Sequence, residues 1–332
     1  MQLPKVSVII VNYNGKELLE KSLESLFKVD YENFEVILVD NKSSDGTIDF
    51  VTKNYPSVII IKLDSNKGFA EPNNIAAKIA KGDYLLLLNN DTVVTLNFIS
   101  EMIKVLEHDK TIGICQSLLL KPDGSLDSSG DFIDKLGVVY NSKTKSNEIR
   151  EISSARGASM LIHKELFEKL GGFDETFFVS FEDVDLGWRT WILGYRVVLI
   201  PTSIVYHSAG TTIKKIGSDI AFHGFKNQIS MKITNFEINY MISNLIKFFV
   251  VYGIRELKIW WDYKNKGTTK ITPTEYESTI AQKPDFIIIA KSLFWIIKNP
   301  VYLIKKHMKI NSNRMSSTND LIKMNILSDK IQ

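Results

Sequence analysis

Cysteine is nearly missing from this chain. Cys115 stands alone among 332 residues, which excludes an internal disulfide and a cysteine-built metal cage and fits a reducing compartment. A surplus of one charge is missing too: the net charge is +3 with Lys and Glu interspersed, no footprint for nucleic acid. No G-x-G-x-x-G follows an apolar run and no G-x-x-x-x-G-K-[ST] occurs, which argues against dinucleotide-dependent dehydrogenases and P-loop ATPases. The opening "MQLPKVSVIIVNYNG" has no long apolar h-region and no small-residue cleavage site, so no secretory signal is expected and the active part is expected to face the cytoplasm. Clean apolar runs of about twenty residues, the length of a membrane span, are also lacking. No internal repeat is present.

What the chain does have is ordinary globular composition, 44% apolar and 24% charged, with ample material for a core. Its first hundred residues alternate two kinds of signal. "VSVIIV" (6–11), "FEVILVD" (34–40), "SVIIIKL" (57–63) and "YLLLLN" (84–89) are continuous apolar runs that predict strands buried on both faces. Between them, "KELLEKSLESLF" (16–27), "SSDGTIDFVTKNY" (43–55) and "EPNNIAAKIAKG" (71–82) predict helices. The pattern implies an α/β fold with a mostly parallel sheet, in which ligands bind beyond the carboxyl ends of the strands. Those ends are polar: Asn12 and Asn14, Asp40 and Asn41, Asp64 and Asn66, and Asn89, Asn90 and Asp91.

From about residue 113 the pattern loosens, then recovers in "ARGASMLIHKELFEKLGGFDETFF" (155–178), "FEDVDLGWRTWILGY" (181–195) and "RVVLIPTSIVYH" (196–207), read as strand and helix, helix, and extended segment. Two segments, 236–261 and 286–310, are rich in large apolar and aromatic residues but interrupted by Lys247, Lys291 and Lys298. Trp260, Trp261, Trp295 and Tyr302 beside Lys305, Lys306 and Lys309 suit helices lying at a membrane interface. Four regions are expected: the first half of an α/β domain (1–112), its second half (113–235), a helical membrane-associated tail (236–310) and a disordered end (311–332).

The segments "SVIIVNYNG", "VDNKSSDGT", "NKGFAEPNN", "LLNNDT", "RGASMLI", "GGFDETFF" and "FEDVDLGWR" resemble, in order and spacing, the family-2 glycosyltransferases. The likeness covers roughly residues 4 to 235 and leans to the rhamnosyltransferase-like branch that builds cell-surface polysaccharide. It implies a GT-A fold, Rossmann-like with helices on both sheet faces, followed here by amphipathic helices. It also implies an inverting transfer of a sugar from a nucleotide donor, assisted by Mn²⁺ or Mg²⁺, to an acceptor hydroxyl on a glycan or lipid-linked saccharide.

The same resemblance distributes roles. Asp40 would accept the imide N–H of uracil or thymine, making the donor a UDP- or dTDP-sugar, and Asn12 and Tyr13 would meet the base or ribose. Asn41, Asn66, Gly68 and Asn74 would surround the nucleotide, with Gly68 letting backbone approach it. Family members carry Asp-x-Asp where this chain has Asn89, Asn90 and Asp91, so Asp91 alone keeps the anionic ligand and Asn89 is left to bond a ribose hydroxyl or a metal-bound water. A second metal ligand is then required, and His207 in "SIVYHSAGTT" matches the family's histidine. Asp183 matches the general base and Glu182 would position the acceptor. Three carboxylates within four residues, Glu182, Asp183 and Asp185, predict at least one raised pKa. Asp185 is expected to brace Arg189 or Arg156, and Arg156 to hold a phosphate. Trp188 and Trp191 fit core or sugar platform equally. The competing readings are a nucleotidyltransferase and a non-catalytic sugar-nucleotide binding protein. The implied location is the cytoplasmic face of the cell membrane, held peripherally.

Overall fold

Strands with apolar side chains on both faces need cover on both faces, and the chain supplies it by alternating strand and helix. In the computed structural model, which describes residues 3–142, 144–208, 219–266 and 286–328, the order begins β1 (Val6–Asn12), α1 (Lys16–Leu26), β2 (Phe34–Asp40), α2 (Thr47–Asn54), β3 (Ile59–Lys62), α3 (Ala70–Ile79) and β4 (Tyr84–Leu88). β3, β2, β1 and β4 lie side by side and parallel. Alternate residues feed two cores: Ile9, Ile37 and Leu87 face one, and Val8, Leu38 and Leu86 the other.

The chain continues through β5 (Thr92–Val94), α4 (Phe98–His108), β6 (Ile112–Leu120), β7 (Leu126–Ser128), β8 (Asp131–Ile133), β9 (Val139–Asn141), β10 (Arg150–Glu151), β11 (Ser159–His163), α5 (Lys164–Leu170), α6 (Glu182–Ile192) and β12 (Arg196–His207). Here the sheet becomes mixed. β11 runs antiparallel between β4 and β6, and β12 pairs parallel with β6. The boundary expected at residue 112, between two halves of one domain, falls at the start of β6, a strand of the same sheet. Gln116 and Ser117 broke the apolar reading of β6, yet both are buried and bonded: Gln116 accepts from Arg156 N at 2.8 Å, and Ser117 lies 2.8 Å from Ser159 and Ser203.

Among the described residues the helices that follow are α7 (Asp219–Asn235), α8 (Ile238–Lys266), α9 (Phe286–Lys298), α10 (Pro300–Ser312) and α11 (Thr318–Lys323). Residues 311–328 are not disordered, which corrects the expectation from sequence. A capping box of Ser317 and Asp320 starts α11, and Leu321 and Leu327 enter the main core with no exposed surface. The polar, short-helix composition hid this, because one buried leucine per turn gives too weak a periodicity to read. Leu321→Ala is expected to cost about 2–5 kcal/mol, seen as a lower Tm; a dispensable tail would leave the melt unchanged.

One face of the α9–α10 pair docks on α7 and α6, with Lys306 donating to Asp174 at 2.6 Å and to Asp185 at 3.2 Å. The opposite face is apolar and exposed, as on α8 at Ile238, Ile242, Ile246, Val250, Ile254 and Leu257. Among the described residues no single helix is long and apolar enough to cross a membrane; α9 and α10 pass together but meet at 73°.

Candidate functional site

Parallel pairing puts Asn12 opposite Asp40, and the carboxyl ends of β1, β2 and β4 form one polar rim. Much of that rim is spent on itself. Asn12 donates to Ser43 and Thr47 at 3.2 and 3.1 Å and accepts from Asn90 at 2.5 Å. Asn41 holds the 66–69 loop, donating to Gly68 O at 2.7 Å and accepting from Lys67 N at 3.1 Å. Asn66 accepts from Gly68 N within its own turn. These amides shape the rim. Asp40 differs: Oδ2 accepts from Ser43 N at 2.9 Å, turning the chain, while buried Oδ1 has no hydrogen-bond partner among the described residues. Tyr13, half-buried, directly follows Asn12, the residue paired with Asp40 across β1 and β2.

Beyond β4, the chain turns so that β5 pairs antiparallel with the end of β12, placing His207 opposite Thr92. His207 Nε2 thereby comes 3.3 Å from Asp91 Oδ1 and 3.4 Å from the Asn89 amide. Its Nδ1 meets Asp127 Oδ2 at 2.9 Å. Burial alone would lower the imidazole pKa, but hydrogen bonds and charge from Asp127 and Asp91 hold it up at about 9. Asp127 was missed in the sequence: it sits in the turn-rich "GSLDSSGDF", with no spacing that ties it to His207. Neighbouring ligands of one octahedral cation stand roughly 3 Å apart, so the Asp91–His207 pair fits a divalent ion, and Asp127 fixes which imidazole nitrogen is presented. Among the described residues no trio of His, Cys, Asp or Glu could hold a metal unaided.

The acids open α6. Ser180 and Phe181 precede them with φ of 73° and 69°, a left-handed pair that costs roughly 1–2 kcal/mol per residue. Asn227 of α7 secures this turn, donating to Val179 O at 3.1 Å and Ser180 O at 2.7 Å. Glu182 is 7% exposed, and its Oε2 is buried with no hydrogen-bond partner among the described residues. Burial, then the charge of Asp183, pushes its pKa well above the ordinary carboxylate range. Asp183 accepts from Gly157 N at 3.1 Å; burial, then the charge of Asp131, raises it to about 6. Ala158 in turn accepts from Asn89 N at 3.1 Å, so two short links join the acids to the end of β4.

Several expected site residues have partners within the chain. Arg156 is engaged by Asp131, with Nε and a terminal nitrogen each 3.2 Å from Oδ1. A Cβ on Gly68 would lie 2.0 Å from Phe178 O, so the missing side chain admits a close approach of the 173–181 loop. The space at Gly157 is filled by Phe69. Asn74 is a strut, exchanging hydrogen bonds of 2.9 Å with Phe173 N and O and reaching Glu175 at 3.1 Å. Asp185 braces Arg189 at 2.9 Å, the first of the two partners expected for it. Trp188 and Trp191 are fully packed core residues.

The family model described as Glycosyl transferase family 2 matches residues 7–171. O-antigen biosynthesis protein RfbC of Myxococcus xanthus is 31% identical over 225 residues, which are 63% of this chain and 18% of that protein. N-acetylglucosaminyl-diphospho-decaprenol L-rhamnosyltransferase of Mycobacterium tuberculosis is 26% identical over 246 residues, 65% of this chain and 80% of that one. The chain thus spans under a fifth of the first relative and most of the second. In fold it is similar to the mannosyltransferase PcManGT of Pyrobaculum calidifontis, solved with GDP-Man and Mn²⁺, with a TM-score of 0.56, 16% identity and coverage of 94% of this chain and 86% of that one.

Proposed function

Since the chain belongs to glycosyltransferase family 2, we propose that it transfers a sugar from a nucleotide diphosphate to an acceptor hydroxyl with inversion at the anomeric carbon. The observation that carries this reading is the link from β4 through Ala158 and Gly157 to the paired acids. It puts a candidate base beside a candidate diphosphate site.

Asp40 Oδ1 accepts the imide N–H of a uracil or thymine base. Asp91 and His207 would hold the divalent cation, with Asp127 orienting the histidine. When bound, that ion offsets the charge of the diphosphate and of the nucleotide as it departs. On the other side Glu182 Oε2 accepts a hydrogen bond from the acceptor sugar. As the acceptor oxygen bonds to the anomeric carbon, its proton passes to Asp183 and the bond from that carbon to the β-phosphate oxygen breaks. Arg156 keeps Asp131 paired behind the base. The second relative's name, with its diphospho-decaprenol, supports a lipid-linked saccharide as acceptor and rhamnose as one donor sugar. The exposed apolar faces of α8, α9 and α10 then rest on the cytoplasmic face of the membrane, flanked by exposed Lys305 and Lys309.

The test is a nucleotide screen with Mn²⁺. UDP and dTDP are expected to bind at least about tenfold tighter than CDP, because cytosine lacks the N–H that Asp40 needs. The matching sugar nucleotides should be slowly hydrolysed. Equal binding of CDP would remove Asp40 from the base site. Binding without any hydrolysis would favour a sugar-nucleotide binding protein.

A further inference from the structure

A cleft of about 460 Å³ lies outside the rim just described, between α7 and α9. Its lining is unusual for a surface groove in being both aromatic and cationic: Phe222 and His223 from α7, and Lys291, Phe294, Trp295 and Lys298 from α9, with Asn299 at the end. Positions 291, 294 and 298 follow three- and four-residue steps, so the helix presents lysine, phenylalanine and lysine on one face. Lys298 Nζ stands 4.4 Å from the centre of the Phe294 ring, and Lys226 stands 4.6 Å from that of Trp295. Among the described residues no acidic one lines it. The volume suits a small molecule, and the charge asks for an anion.

Two further features say which kind. The mouth opens onto apolar surface, where Phe294 is 58% and Ile297 73% exposed, so an occupant with an apolar chain loses little on leaving the cleft. The wall is shared with the acid site: His223 stacks on Phe178 at 5.1 Å between ring centres, and α7 itself pins the turn before Glu182 through Asn227. A ligand held here therefore lies against the helix that places the acceptor-side acids.

We infer that this cleft binds the lipid anchor of the acceptor, its phosphate between Lys291 and Lys298 and its first isoprene-like units against Phe222, Phe294 and Trp295. The inference rests on the proposed acceptor class and assigns it a site. Aromatic faces take the unsaturated chain, while two lysines on flexible stems close on the phosphate as point charges.

Farnesyl phosphate is the probe, and Trp295 reports it by fluorescence quenching. Saturable quenching by farnesyl phosphate is expected, lost in Trp295→Phe, with farnesol and inorganic phosphate each binding at least about tenfold more weakly. Lys291→Gln and Lys298→Gln should each weaken binding about tenfold, and Lys298→Arg should keep most of it. Both lysines are exposed, so thermal melts should match the wild type and exclude misfolding. Equal binding of farnesol and farnesyl phosphate, or indifference to both glutamine changes, would overturn the site. Sugar-nucleotide hydrolysis is measured separately on the wild-type chain. Hydrolysis with lysine-independent binding overturns the cleft and leaves the transferase; lysine-dependent binding without hydrolysis supports the cleft and sinks the transferase.

Discussion

Asp183→Asn is expected to lower sugar transfer by about 10²–10⁴-fold, the usual worth of a positioned base, and at the same time to raise the melting temperature at pH 7. Both effects come from one environment. Burial, and then the neighbouring Asp131, lift Asp183 to about 6. The folded state thus binds a proton more tightly than the unfolded chain, whose aspartate titrates near 4. This group's contribution to stability is complete below about pH 4 and is lost as pH rises through 6, so at pH 7 the ionised carboxylate is a burden. Removing it should return roughly 1–3 kcal/mol, and the gain should shrink as pH falls toward 4. Transfer runs the other way: log(kcat/KM) should climb with pH below about 6 and level off above it. An Asp183→Asn chain that melts higher but transfers normally would show the acid to be structural and the base to lie elsewhere. Glu182→Gln provides the contrast, since loss there should appear chiefly in the KM for the acceptor.

The second large effect is expected at the ion site. Asp91→Ala and His207→Ala should each weaken Mn²⁺-dependent binding of UDP or dTDP by about 10²-fold or more, beyond the 10–100-fold typical of a residue that only orients a ligand. Asp127→Asn belongs in that lower range. Its amide oxygen can still accept from the imidazole N–H at 2.9 Å, but the negative charge is gone. Manganese titration followed by electron paramagnetic resonance reads all three without turnover. Should Asp91→Ala and His207→Ala both leave the titration unchanged, the divalent-ion reading of this pair fails.

Legibility in the sequence tracked how local the determinant was. The strands β1, β2 and β4 and their polar ends were plain, because each is a continuous apolar run closed by short polar residues. The approach of His207 to Asp91 was legible only through the resemblance; in space it depends on β5 folding back on β12. Asp127 escaped altogether, since nothing in a turn-rich stretch marks one aspartate among several. The amides carry a different ambiguity. Asn12, Asn41 and Asn74 look like ligand groups in one dimension, and in the fold they also bond backbone and neighbouring side chains. Gly68 is equally ambiguous, since its missing side chain admits Phe178.

Lys306 carries a practical consequence for anyone wishing to work with a shorter, more tractable form. Its ammonium group comes from α10 but ends between Asp174 and Asp185, under the helix that begins with the two acids. Although burial pushes Asp174 upward, Lys306 keeps it down at about 2. Cutting the chain before Ile238 to shed its greasy surface would thus strand a buried carboxylate without its counter-ion and unseat the acids. A truncated form that lost activity would say nothing about membranes. Greater solubility is better sought by replacing Ile242, Ile246 and Val250 on the outer face of α8, leaving Lys306 in place.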